Sequence, residues 1–416
     1  MRSLFLVTLL FANLAFAKSS LNSMCYIESK SGAKIQGENT QSLFEIASVS
    51  KVFTSFWALN TLGADFRFKT KVFLTPVSGS TYDVHIQGSM DPYFGRQLTH
   101  FLFSELNRYG VQNIRQLTFD ENFKTRWNVL TDFLETLSPS NDDIVSSFQI
   151  HAKRLSSEYP ATVNEALRSR IVLPGRLNLT IDAVSFLPSA QFKPGLTMQG
   201  FTLSSSPLHR YLKEMNRVSN NHVADKLFEY LGGTTKFMKF VKETMELSNA
   251  NLQFVNGSGN SVVVGTTNNG GEIKEYNKAS CETLIRVMIA LQNTLRAQGF
   301  DMKDVMAVSR SDDSTLRPRY DAMPGSVIAK TGTVDPAIAL AGMVSTADGD
   351  VYFGYLYKTD SAADWNSAKD NIRNRVFDLV RKFGGLRSVD YTPVAFLSFD
   401  ANSYFTPINL ASLRRP

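Results

Sequence analysis

Three short segments of the chain carry residues suited to acyl transfer. Ser48-Val49-Ser50-Lys51 sets a hydroxyl and an amine three positions apart; Ser219-Asn220-Asn221 and Lys330-Thr331-Gly332-Thr333 follow in order. A serine hydroxyl is a poor nucleophile until a neighbouring base takes its proton. Lysine serves as that base when burial or a nearby cation lowers its pKa. On a helix, positions i and i+3 share a face, so Lys51 reaches the Ser48 hydroxyl. In this reading Lys330 supplies the cation, Asn221 holds Lys51 by a hydrogen bond, and Ser219 relays a proton to a leaving amine. The backbone N–H groups of Ser48 and Thr333 form an oxyanion hole. Lys330, Thr331 and Thr333, spaced around Gly332, hold a substrate carboxylate.

The first two motifs have decoys, whereas Lys330-Thr331-Gly332 is the only match of its kind. Ser31-Gly32-Ala33-Lys34 has the same spacing as the first, and Ser20-Leu21-Asn22 and Ser258-Gly259-Asn260 match the second. Local context separates them. Ser31 falls in a glycine turn, whereas Ser48 opens an apolar-periodic run in which Val49, Val52, Phe53, Phe56 and Leu59 recur at helical spacing. A serine there also gains the positive end of the helix dipole. Ser20 precedes the nucleophile, and Ser258 lies in a glycine-rich turn. The five histidines, His85, His100, His151, His209 and His222, are scattered and read as structural; no GxSxG elbow exists. HExxH, paired CxxC, P-loop and GxGxxG motifs are absent, so neither a metal nor a nucleotide cofactor is expected.

The elements that must position these residues are legible in outline. Residues 24–46 read as a short hairpin, with Cys25-Tyr26-Ile27 returning towards Leu43-Phe44 through a Lys30-Ser31-Gly32 turn. A helix is expected from about Ser48. Strand patterns fill 66–90 (66–68, 72–74 and 84–86), and Leu98, Phe101, Leu102 and Leu106 share a face of a helix over 96–109. Residues 114–200 are mixed, punctuated by Pro139 and Pro160, with a strand at 177–181, and read as part of a β-rich insertion. A helix follows Pro207, a natural first-turn residue, and another follows Ser219 with Val223, Leu227 and Leu231. Residues 279–297 form an amphipathic helix. Residues 327–356 hold two strand patterns about an Ala347-Asp348-Gly349-Asp350 turn. A last helix over 366–383 turns Ile372, Val376, Leu379, Val380 and Phe383 inward. Residues 386–416 have no assignable pattern. The order implies one sheet-and-helix domain built from both ends of the chain and interrupted in the middle.

Composition narrows the setting. Apolar residues make up 43% and charged residues 20% of the 416 positions, enough for a sizeable core. The balance of 44 Lys+Arg against 38 Asp+Glu gives +6 without any long run of like charge, so no nucleic-acid arm is read. That mild basicity suits either an acidic polymer or plain solubility. Arg2, an apolar run from Leu4 to about Leu14, and Ala15-Phe16-Ala17 form a signal peptide over 1–17, cleaved near Ala17. The run is too short for a permanent span, so a periplasmic or secreted protein without a stable membrane anchor is expected. Export permits a disulfide, but spacing leaves Cys25 and Cys281 equally open to pairing or to burial as free thiols. The oligomeric state is not legible.

The ordered set resembles the class C low-molecular-mass penicillin-binding proteins, the D-alanyl-D-alanine carboxypeptidase/endopeptidase family; similar motifs occur in β-lactamases. Beyond the three motifs, Ser206-Pro207-Leu208, Met215-Asn216 and Ala224-Asp225 resemble the family's second-motif region, and Asn256-Gly257-Ser258-Gly259 resembles its Asp-Gly-Ser-Gly turn. Leu340-Ala341-Gly342 resembles its third-motif hairpin, and Gly88-Ser89-Met90-Asp91-Pro92 resembles a landmark of the middle. The resemblance implies an α+β fold, the serine DD-peptidase/β-lactamase-like antiparallel sheet flanked by helices, with a β-rich inserted domain. The expected division is 18–65 with 205–385 for the penicillin-binding domain, 66–204 for the insertion and 386–416 for a C-terminal extension. It implies acyl-enzyme chemistry on peptidoglycan stem peptides, as D-Ala-D-Ala carboxypeptidase, DD-endopeptidase or both, and covalent inhibition by β-lactams such as penicillin.

Departures from the family bear on the substrate. About 170 residues separate Ser48 from Ser219, short for the family, so a further nested domain is missing and a more open site suited to cross-linked polymer is expected. Where the family often has an arginine that holds a carboxylate of the stem-peptide diamino acid, this chain has Val262. The alternatives are a β-lactamase, for which no Glu-x-x-Leu-Asn segment follows Ser219, and a non-catalytic cell-wall or penicillin-binding protein, against which the intact motifs argue.

Overall fold

Among the residues that the computed structural model describes (22–409, apart from positions 31, 133, 136 and 249), two six-stranded sheets organise the chain. The signal peptide and the Ser31 decoy therefore lie outside the described residues. In chain order the N-terminal part gives β1 (Asn22–Glu28), β2 (Gln36–Glu38), β3 (Leu43–Glu45), a 3₁₀ turn over Ala47–Val49, and α1 (Ser50–Leu62). The middle gives β4 (Lys69–Ser78), β5 (Thr81–Gln87), α2 (Arg96–Arg108), β6 (Asn113–Phe119), α3 (Asn141–Lys153), α4 (Leu155–Arg168), β7 (Thr180–Phe186) and β8 (Gln199–Ser204). Next come α5 (Leu208–Val218), α6 (Asn221–Leu231), α7 (Gly233–Met245), β9 (Leu252–Gln253), β10 (Val262–Thr266), β11 (Glu272–Glu275), β12 (Lys278–Ser280) and α8 (Cys281–Ala297). The chain ends with β13 (Ala307–Val308), β14 (Val327–Val334), β15 (Ala337–Thr346), β16 (Gly349–Lys358), α9 (Trp365–Lys382) and β17 (Phe405–Ile408).

The first sheet runs β13-β14-β15-β16-β1-β2, antiparallel throughout. β15 is buried along its whole length because helices cover both faces of the sheet, which is why it reads as an unbroken apolar run. One face packs on α1 and α8 through Val52, Phe56, Leu284 and Met288; the other packs on α9 through Ile372, Val376 and Leu379. This is the α+β architecture expected, an antiparallel sheet flanked by helices. A disulfide joins Cys25 of β1 to Cys281 at the start of α8, settling the pairing that spacing left open.

The second sheet runs β17-β8-β4-β5-β6-β7. Its β5, β6 and β7 are parallel, and parallel neighbours need crossover connections: α2 links β5 to β6, and α3 with α4 link β6 to β7. Leu98, Leu102 and Leu106 of α2 pack into this core, as the periodicity predicts. The loop between β5 and α2 ties the two bodies together: Tyr211 of α5 donates to the Asp91 carboxylate at 3.0 Å, and the Tyr93 N–H donates to it at 2.9 Å. No described helix is long and apolar enough to cross a membrane.

Several expected elements differ in detail. The hairpin returns at β2 and not at Leu43-Phe44; β3 instead pairs with β12. The pattern at 66–68 is not a strand: β4 begins only at Lys69, and Phe68 packs on Tyr211 with ring centroids 5.8 Å apart. Pro160 lies inside α4, where the buried stripe of Leu155, Tyr159, Thr162 and Ala166 outweighs a proline's cost of about 3 kcal/mol. Residues 327–346 form two strands, because the run turns at Asp335-Pro336 into a hairpin. The unassigned C-terminal segment adds β17 to the edge of the second sheet beside β8, and Leu397, Phe399 and Phe405 join that core. Arg67 and Asp400 fasten it with a bidentate ion pair at 2.8–2.9 Å.

Candidate active site

Ser48 sits on the 3₁₀ turn, and α1 proper begins at Ser50, two residues later than the apolar period predicts. The geometry is still favourable. In a 3₁₀ turn, side chains at i and i+3 eclipse, and Lys51 Nζ donates to Ser48 Oγ at 2.9 Å. The turn is pinned from below by the Ser50 hydroxyl, which donates to the Ala47 carbonyl at 2.6 Å. Gly332 of β14 allows the close approach of this turn to the strand, since a Cβ there would stand 2.7 Å from the Ile46 carbonyl oxygen.

Lys51 is fully buried. Its other two donors go to Asn221 Oδ1 at 2.7 Å and to the Ser258 carbonyl at 2.9 Å. Burial brings its pKa down to about 7, with the Asp225 carboxylate acting in the opposite direction. The cause is thus desolvation, one of the two routes the sequence leaves open.

Asn221 and Ser219 reach the site because α5 and α6 meet at a sharp corner. Ser219 caps α5 in the left-handed conformation, with φ 61°, and Asn220 caps α6 by accepting the Val223 N–H at 3.0 Å. The Asn220 amide also donates to the Val129 carbonyl at 2.8 Å, so the corner is braced by the loop before α3. The corner turns Asn221 towards Lys51 and Ser219 towards Lys330.

Lys330 is also fully buried. It donates to Ser219 Oγ at 2.9 Å and to the Thr331 carbonyl at 2.7 Å. Burial, with Lys51 and Arg319 nearby, pushes its pKa well down. β13 covers β14 only at Ile328 and Ala329, so from Lys330 onwards that edge has no strand partner among the described residues. An edge with unpaired backbone groups can take an extended peptide as an added strand. Thr333 lies on this edge and Thr331 donates from its hydroxyl to Thr315 at 2.8 Å.

The structure therefore gathers Ser48, Lys51, Ser219, Asn221, Lys330, Thr331, Gly332 and Thr333 from three distant segments into one site. Sequence reasoning missed two contributors. The Ser258 carbonyl belongs to a segment set aside as a decoy, and a backbone acceptor has no residue-type signature. Thr315 lies in a loop without any motif. Of the histidines, His85, His100 and His151 are held by Thr118, Thr162 and Glu158, away from Ser48.

A model of the D-Ala-D-Ala carboxypeptidase 3 (S13) family matches residues 18–133 and 198–377. The unmatched middle holds α3, α4 and β7. The chain is similar to Bd3459, a predatory peptidoglycan endopeptidase from Bdellovibrio bacteriovorus, with 38% identity and a TM-score of 0.84 over 93% of this chain and 99% of that one. That protein has also been solved acylated by penicillin G in complex with immunity protein Bd3460, and this form gives a TM-score of 0.85. Bd0816, a predatory endopeptidase from the same organism, is 36% identical with a TM-score of 0.85 over the same shares. Penicillin-binding protein 4 from Haemophilus influenzae, at 16% identity and a TM-score of 0.56 over 86% of this chain and 97% of that one, shares the fold. No curated protein matches the chain.

Proposed function

We propose that Ser48 is the acylated nucleophile of this chain, which belongs to the D-Ala-D-Ala carboxypeptidase 3 (S13) family and is a penicillin-binding serine DD-peptidase. The observation that carries the residue assignment is the 2.9 Å contact between Ser48 Oγ and a fully buried Lys51. With its pKa brought to about 7, Lys51 is available as the neutral amine that accepts the Ser48 proton. Ser48 Oγ then bonds to the carbonyl carbon of the penultimate D-Ala, and the N–H groups of Ser48 and Thr333 hold the oxyanion. As the C–N bond breaks, Ser219 passes a proton to the departing amine and is reprotonated through the network. Water later attacks the ester and returns Ser48. Lys330, Thr331 and Thr333 along the open edge of β14 hold the substrate carboxylate.

The preferred substrate in this reading is the cross-link, so the protein works as a DD-endopeptidase on peptidoglycan outside the cytoplasm. Its 36–38% identity to two predatory endopeptidases supports this, as does the short stretch between the first two motifs. Purified cross-linked muropeptide dimers test it: the wild type is expected to yield monomers, and Ser48→Ala none. Release of terminal D-Ala without loss of dimers overturns the endopeptidase preference. Rapid turnover of penicillin in place of a lasting adduct would mark a β-lactamase.

A further inference from the structure

α6 presents two polar side chains one turn apart, Asn221 and Asp225, and positions i and i+4 share a helix face. Asn221 accepts directly from Lys51 at 2.7 Å. Asp225 reaches the same amine through the backbone of one residue, Ser258. Its Oδ1 accepts the Ser258 N–H at 2.7 Å, and the Ser258 carbonyl is the third acceptor of Lys51, at 2.9 Å.

The turn that carries Ser258 has no room to drift. A Cβ on Gly257 would stand 2.3 Å from the Ala224 carbonyl oxygen of α6 and 2.6 Å from Phe228 Cβ. A Cβ on Gly259 would stand 1.9 Å from the Ala47 carbonyl oxygen, beside the nucleophile. From α1, Thr54 donates to the Gly257 carbonyl at 2.9 Å. The turn is thus wedged between α6, α1 and the Ser48 turn, with Asp225 as the anionic side chain that holds it.

We propose that Asp225 is a positioning residue for acylation: it fixes the Ser258 carbonyl against Lys51 and supplies the counter-charge that governs how tightly Lys51 keeps its proton. The inference rests on the reading of Lys51 as the base. The charged groups that face Lys51 are Asp225 from α6 and Lys330 from β14; α1, the Ser48 turn and the 256–259 turn contribute no other. Asp225 raises the pKa of Lys51 against the effect of burial. Burial in turn pushes the Asp225 carboxyl up, while Lys51 and the Ser258 and Gly257 donors draw it back.

The test is the pH profile of acylation by a fluorescent penicillin in the full chain, compared across Asp225→Asn, Asp225→Glu and Asp225→Ala. Asn can still accept the Ser258 N–H but carries no charge. Its acidic limb is expected to move to lower pH by about half a unit or more, because loss of the anion lets Lys51 lose its proton earlier. Glu restores the charge and is expected to return the limb towards the wild-type position, even at a reduced plateau. Ala removes anchor and charge together, and its plateau is expected to fall about tenfold or more. A purely structural role would lower rates in all three without moving the limb. An unmoved limb in Asp225→Asn that still labels overturns the inference alone, whereas a wild type with no acidic limb overturns the role of Lys51. If Asp225→Ala does not fold, the Asn and Glu pair decides.

Discussion

Ser219 Oγ accepts a hydrogen bond from Lys330 Nζ at 2.9 Å, so the second serine is tied to the third motif and not to Lys51. The two lysines therefore serve different serines. Lys51 donates to Ser48, the proposed nucleophile, and Lys330 donates to Ser219, the proposed proton relay to the leaving amine. Accepting from Lys330 occupies one lone pair of Ser219 and does not use its own O–H.

Ser219→Ala is accordingly expected to slow acylation by penicillin about 10²–10⁴-fold, the usual worth of a positioned proton donor. The adduct should still form, because Ser48 and Lys51 are untouched. Stopped-flow labelling measures this. A rate within threefold of wild type would remove Ser219 from the proton path.

Acylation is expected to rise with pH through about 7 and then level off. The sign follows from the chemistry: below that value Lys51 is an ammonium and cannot accept the Ser48 proton, so the rate falls about tenfold per pH unit. A profile that is flat from acid to neutral pH would show that Lys51 is not the base.

Gly259→Ala is expected to damage the site more than the fold. Its φ of 84° already disfavours a side chain, and the added Cβ would meet the Ala47 carbonyl at 1.9 Å. Either the 256–259 turn retreats, taking the Ser258 carbonyl from Lys51, or the Ser48 turn moves. Acylation should fall about a hundredfold or more, the size seen when a small displacement misplaces a reacting group. Wild-type rates in a folded Gly259→Ala variant would contradict this packing.

The disulfide is a matter of stability. Cys25 and Cys281 are 256 positions apart and both fully buried, so the bond closes a long loop. Replacing both by Ser is expected to cost about 2–5 kcal/mol of unfolding free energy. Denaturant titration measures it, and acylation well below the transition should be little changed, because neither sulfur lies among the Ser48 partners. An unchanged midpoint would show that the bond contributes nothing to the native state.

The residue types of the candidate site were legible in the chain by itself. Ser48 and Lys51 are neighbours in sequence, so local helical geometry alone brings them together, and a 3₁₀ turn in place of an α-helix alters this little. The covered central strands and the stripes of α2, α6 and α9 were equally legible, because burial repeats with the period of the element. Tertiary structure alone decided the rest. The Ser258 carbonyl is a backbone group, so no residue type announces it, and only the wedge of Gly257 and Gly259 against α6 and Ala47 brings it under Lys51. The Cys25–Cys281 pairing, the return of β17 to the second sheet and the Ser219–Lys330 contact join positions more than a hundred residues apart. Such contacts form when separate apolar faces bury one another, and the sequence of either face alone does not name its partner.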